Sequence, residues 1–184
     1  IIMTKDDFIK IYCAQYKILE DKMIDLSEYI TIDKSNYPTF SLQLNALFIL
    51  ICNEIDSVAG EICKSINDDR KSIYGIIKKI EVIVTKYPNL KNSHISTKYP
   101  HAKIDLVPFT KFEPNTHSWW TDYNDIKHNR AEQDEHGRYN FQKANLKNVL
   151  HSIAALYILI VKISQDLKIE NFSLNSKLFN ETVL

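Results

Sequence analysis

The stretch Trp119-Trp120-Thr121-Asp122-Tyr123-Asn124-Asp125-Ile126-Lys127-His128-Asn129-Arg130 packs an imidazole, two cations, two carboxylates and three aromatic rings into little more than three helical turns. On a helix, Asn124 and His128 stand one turn apart on a shared face with Asp125 beside them, and Lys127 and Arg130 form a cationic edge. His128 exchanges a proton near neutral pH, and Arg130 can clamp a phosphate with two parallel hydrogen bonds. Phosphodiester cleavage through a 2′-hydroxyl needs such groups: a base for the hydroxyl and cations for the charge on the phosphorane. That scheme uses no metal. A plainer role is also open, in which His128 favours the negative end of the helix and Lys127 and Arg130 are solvated.

Three aromatic residues of the same stretch, Trp119, Trp120 and Tyr123, are candidates for substrate binding. The tryptophan pair suits stacking on a base, or else anchoring a short helix to the core. Two carboxylates elsewhere join the set. Glu54 and Asp56 follow an apolar run, Ala46 to Cys52, and a carboxylate there must be paired, hydrogen-bonded or facing a cleft. One of these two carboxylates would orient His128 or pair with Arg130, or form a structural ion pair with Lys127 or Arg130. On either basis removal of Glu54 should be harmful.

Five helices are expected to position these groups. Helix one covers residues 5 to 30, started by Thr4 and Asp7, with Phe8, Ile11, Tyr12, Ile18, Leu19, Met23 and Leu26 at helical spacing. Helix two runs from a Ser41 cap to about Ile66 and is apolar enough to be central. Helix three covers Arg70 to Lys86 after the caps Asn67-Asp68-Asp69, and stops before Pro88. Its short link to helix two predicts antiparallel neighbours. Helix four follows the Ser118 cap, from Trp119 to Arg130. Helix five, Phe141 to about Lys168, is the second central helix. Between helices three and four, residues 88–117 hold four prolines and β-like pieces such as Ile104-Asp105-Leu106-Val107, the pattern of an irregular or short-hairpin insertion.

The 184 residues suit one domain, 1–184, and only 3 glycines argue against an all-β fold with its many turns. Lys plus Arg equals Asp plus Glu, so the formal net charge is zero. Indiscriminate coating of nucleic acid is thereby disfavoured, and any RNA contact must come from a local patch. Cys13, Cys52 and Cys63 are odd in number and lack a CxxC pair, which reads as buried thiols in a reducing cytoplasm. The six histidines lack HxxxH or HExxH spacing, so no metal and no other cofactor is expected. No apolar run of membrane-spanning length is evident, the longest ending at Lys162, and Lys5, Asp6 and Asp7 interrupt any signal-peptide pattern.

The chain resembles a group of bacterial HEPN-type helical proteins. The resemblance rests on Leu47 to Lys64 with Glu54-Ile55-Asp56, on Val107-Pro108-Phe109, on Trp119-Trp120 and Tyr123-Asn124-x-x-Lys127-His128-x-Arg130, and on Ala144-Asn145-Leu146-x-Asn148-Val149-Leu150 with Ala154-Ala155-Leu156. These pieces lie between residues 42 and 162, about two thirds of the chain. The resemblance implies an all-α antiparallel bundle that commonly dimerises. Its members include metal-independent RNases of phage defence and toxin–antitoxin systems, and inactive binding modules. It thus implies RNA or a nucleotide as ligand, a homodimer, and an antitoxin or sensor protein as partner. The usual catalytic signature is an Arg, four to six residues, then a His. In Lys127-His128-Asn129-Arg130 the order is reversed, whereas Arg130 and His136 satisfy the spacing. His136 lies in a polar loop beside Gly137, so His128 ranks above it as the functional histidine, with Arg130 common to both schemes.

Overall fold

The computed structural model describes residues 3–66 and 73–180. Among them, five long helices carry the fold. The first, α1 (residues 5–27), opens with the predicted capping box: Asp7 N–H donates to Thr4 Oγ1 at 3.1 Å and Thr4 N–H to Asp7 Oδ2 at 3.3 Å. Its second and third turns, Phe8–Cys13, are π-helical before the α-form resumes at Ala14–Ser27. The extra residue in those turns rotates the apolar stripe. Phe8, Tyr12, Tyr16, Leu19 and Met23 face the core, while Ile11 and Ile18, expected inside, are about half exposed at 55% and 52%.

Helix α2 is Leu42–Ile66, capped as expected by Ser41, whose Oγ accepts from Leu44 N–H at 3.0 Å. Helix α3 is Ile76–Lys86. It begins later than expected because Gly75 adopts φ 81°, a left-handed conformation outside the helix. The predicted caps Asn67, Asp68 and Asp69 lie outside the described residues. Helix α4 is Trp119–Asn129, with Ser118 as cap, and α5 is Leu146–Asp166. Asn145 caps α5 by accepting from Asn148 N–H at 3.1 Å. Residues Asn140–Lys143 form a separate 3-10 turn in place of the first turn expected for helix five.

The core is built around α2 and α5, which share the most extensive contact of any helix pair. Within α5 every residue from Ser152 to Ile160 is buried. By length and composition α5 could cross a membrane (mean hydropathy 1.6), a property the run-length reading passed over, but 83% of that window is buried inside the bundle. All three cysteines are buried, and burial pushes the Cys13 and Cys63 thiols up to about 11.

Helix directions are mixed, in place of the fully antiparallel bundle expected. The segments entering α2 and α5 are joined at an antiparallel bridge, Phe40 to Asn145, and Leu146 N–H donates to Thr39 O at 2.9 Å. Both central helices therefore start at one end and run together. Helix α1 runs against them: Lys5 reaches Lys168 O at 3.4 Å and Tyr16 packs on Tyr157. Helix α4 runs against α2, with Tyr123 beside Asn53 and Arg130 beside Leu42 and Asn45. The connection from α2 to α5 runs through α3, the insertion and α4, a path long enough to return the chain to the starting end.

In the insertion, β1 (Ile95–Ser96) pairs antiparallel with β2 (Asp105–Leu106), Ile95 opposite Leu106, so the hairpin form is realised. A later segment extends it. Thr97 bridges Phe179, Lys98 N–H donates to Leu178 O at 3.0 Å, and Asn180 N–H donates to Ser96 O at 2.9 Å. This tail is tied to α1 as well. The Glu20 carboxylate, 2% exposed, accepts from Tyr16 Oη at 2.9 Å, Lys177 N–H at 3.0 Å, Leu178 N–H at 3.2 Å and the Ser176 hydroxyl.

Candidate functional site

Helix α4 presents its chemistry from a side whose other face is locked into the core. Trp119, 7% exposed, packs on Phe48 and Phe112, and its indole N–H donates to Pro108 O at 2.8 Å. Its ring is thereby enclosed and serves as the anchor, not as a platform for a base. Tyr123 is also buried, donating to Asn53 Oδ1 at 2.8 Å, and burial pushes its hydroxyl up to about 12. It stays a neutral donor at any physiological pH.

Above these rings lies a cleft of about 540 Å³ between α2, the start of α3 and α4. Asn53, Asp56, Lys78, Trp120, Tyr123, Asn124 and Lys127 line it, together with Tyr74 and Gly75. Five of the residues singled out from sequence meet here: Trp120, Tyr123, Asn124, Lys127 and Asp56. The Lys127 ammonium stands 5.7 Å from the centre of the Tyr123 ring. Asp56 is not paired with Lys127 or Arg130, as expected for one of the two carboxylates, but with Lys79 Nζ at 2.8 Å. That leaves Lys127 and Lys78 without an ion pair among the described residues, a net cationic lining suited to phosphate.

The remaining candidates fall outside the cleft. His128 follows Asn124 by one turn but does not line the cleft; it is exposed, with no hydrogen bond or ion pair among the described residues. Arg130, two residues further, projects roughly 160° round the helix axis from His128. It lines a different groove on the far side, with Leu42 and Asn45. His136 is exposed in the loop closed by the Gln133–Tyr139 bridge; its backbone N–H donates to Asp134, and its ring lies 3.6 Å from Glu135. No single surface of one chain therefore carries His128, Arg130 and His136 together.

Glu54 does not join them either. It is half-buried on the α1 side of α2, where its charge acts on Tyr12, and it has no cation or hydrogen-bond donor among the described residues. Neither pairing expected for it is formed. Burial alone raises its carboxyl above the usual range. A raised folded-state value means that the stability this group contributes is fully present below about 4.5, its unfolded value, and is lost as pH rises through the folded one. Glu54→Gln should therefore flatten the acid side of the stability–pH curve and leave neutral-pH stability equal or higher. Urea unfolding at several pH values reads this directly. A clear loss of stability at pH 7 would show that the carboxylate has a partner after all.

One pair escaped the sequence reading. His117 Nε2 lies 3.0 Å from Asp122 Oδ1, and Asn148 Nδ2 donates to Asp122 Oδ2 at 2.7 Å. Burial raises the Asp122 carboxyl, with Asn148 and His117 opposing. The pair faces α5, on the opposite flank of α4 from the cleft, where Asp125 also binds Lys143 at 2.6 Å. The signal was available in the i, i+5 spacing of His117 and Asp122 across the helix start. Among the described residues no cluster of His, Cys, Asp or Glu has the form of a metal site. Comparison with protein-family models, curated proteins and solved structures yields no match to this chain.

Proposed function

We propose that this chain is a HEPN-like helical module that binds single-stranded RNA or a nucleotide in the cleft beside α4. The observation that carries the reading is the cleft lining: two lysines free of ion pairs among the described residues, two amides, and a floor formed by the largely buried rings of Trp120 and Tyr123. Lys127 and Lys78 take phosphate, Asn124 and Asn53 take hydroxyl or base edges, and Trp120 contributes an aromatic wall. Local cationic lining reconciles nucleic-acid binding with a chain of zero net charge. The one carboxylate among the described lining residues, Asp56, is neutralised by Lys79 and repels phosphate weakly.

A second reading, metal-independent RNA cleavage, is favoured by one observation: His128, one turn along α4 from the cleft residue Asn124, is exposed, with both ring nitrogens uncommitted among the described residues. Because Arg130 faces away from His128, cleavage requires a homodimer in which the Arg130 of a second copy meets it. An antitoxin or sensor protein would then act by covering this surface. The two readings separate in one experiment. The protein and its Lys127→Ala and His128→Ala variants are tested for binding and cleavage of tRNA and bulk cellular RNA with EDTA present. We expect binding that falls with salt and weakens roughly 3- to 10-fold in Lys127→Ala, without cleavage. Cleavage by the parent that disappears in a folded His128→Ala establishes the second reading, and an absence of RNA binding overturns both.

A further inference from the structure

At the C-terminal end of α4, a groove of about 340 Å³ runs between the start of α2 and the loop after α4. Its walls are Leu42, 78% exposed, and the rings of Tyr139 and Phe141, with Arg130 and Ala131 closing one end. Tyr139 and Phe141 are inclined at 31° with centres 6.1 Å apart, and Phe40 meets Phe141 edge-on at 5.6 Å. The walls are almost wholly apolar, with one exception. Asn45 lines the groove while only 6% exposed, and its amide nitrogen, which reaches the groove only by a turn of the side chain, has no hydrogen-bond partner among the described residues.

A buried amide without a partner costs stability, and native proteins rarely retain one where a leucine would fit. Asn45 stands one turn before Phe48, a core residue, so an apolar residue there would extend the core. The group becomes useful only when an acceptor arrives from outside. The occupant must offer a flat apolar body for the aromatic wall, a carbonyl or ring nitrogen for Asn45, and an anion for Arg130, which has no ion pair among the described residues. A nucleotide has all three.

We propose that this groove is a second nucleotide subsite, in which a base inserts beside Tyr139 and Phe141, accepts a hydrogen bond from Asn45, and leaves its phosphate on Arg130. The proposal rests on the RNA reading above and deepens it. Lys127 in the cleft and Arg130 at the groove are one helical turn apart on α4, so one short strand would lie across the end of α2 with successive phosphates on the two cations. Sequence preference would then come from the groove, since the cleft lysines read only the backbone.

The test uses the whole protein, single-stranded RNA tetranucleotides, and the same tetranucleotides with one abasic position. Asn45→Leu is nearly isosteric; it should raise the thermal midpoint of the ligand-free protein and weaken tetranucleotide binding about tenfold. One abasic position should weaken binding to the parent and have little effect on Asn45→Leu, because both changes remove the same contact. Tyr139→Ala, on an exposed wall residue, gives the same comparison should Asn45→Leu fail to fold. Parent-like affinity in both groove variants, with Lys127→Ala still weakened, overturns the subsite and leaves the cleft reading standing. Tetranucleotides that bind none of the proteins overturn both.

Discussion

Replacing Glu20 with alanine lowers the free energy of unfolding by about 3 kcal/mol or more, the sum expected when several buried donors lose a charged acceptor. The carboxylate is almost inaccessible to solvent and satisfies two side-chain hydroxyls and two backbone N–H groups at once. Among the described residues no cation pairs with it; the Lys177 ammonium binds Asp21 instead at 2.6 Å. Its charge is held by dipoles alone, an arrangement that tolerates no missing member. Equilibrium unfolding in urea measures the loss. Amide exchange should show Lys177 and Leu178 losing protection before the helices do. A change within about 0.5 kcal/mol, the range of an ordinary surface substitution, would mean that the tail finds other acceptors.

Trp119→Ala has an effect of similar or larger size, about 3–5 kcal/mol, because it empties a large volume among Phe48, Phe112 and Trp120 that rigid helices cannot refill. It also strands Pro108 O, the acceptor of the indole N–H. The consequence reaches the cleft. Phe48 packs on Tyr123 as well as on Trp119, so loosening one ring shifts the residue that holds Asn53. Trp119→Phe keeps part of the packing without the hydrogen bond and should fall between the two. The ordering parent, Phe, Ala in urea midpoint is the check; equal midpoints for parent and Ala would show that Trp119 is not the anchor.

Local signals made most of the helix starts legible before any coordinates. Thr4, Ser41 and Ser118 each sit where a polar side chain must satisfy free N–H groups, and each begins a helix. Phe141 misled for a physical reason: it is apolar because it meets Phe40 and Tyr139 across a turn, not because it continues helix five. Ile11 and Ile18 misled because the π-turns at Phe8–Cys13 break the period by which they were placed. At the site, Asn124 and Lys127 line the cleft, whereas His128, read as sharing a face with Asn124 and Asp125, is not in its lining, and Asp125 turns to Lys143. The Asp56–Lys79 pair, the Glu20 clamp and the Asn45 groove join residues distant in the chain, or lie on faces that only the packing of neighbours defines, so no local pattern announces them.

The clamp between α1 and the tail also sets a constraint on the order of synthesis. Glu20 and its acceptor bonds to residues 176–178 are separated by more than 150 positions, as are the contacts of Lys5 with Lys168 and of Phe8 with Phe172. While the ribosome is still adding α5, helix α1 has emerged but has nothing to receive its buried carboxylate or its aromatic face. Helix α1 is thus secured only after α5 has been made, and the nascent chain carries its exposed apolar stripe until residues 168–180 have left the exit tunnel. A chain built this way depends on the stretch that encodes residues 168–180 being translated promptly, and a pause before it would hold α1 in the state most open to aggregation and proteolysis.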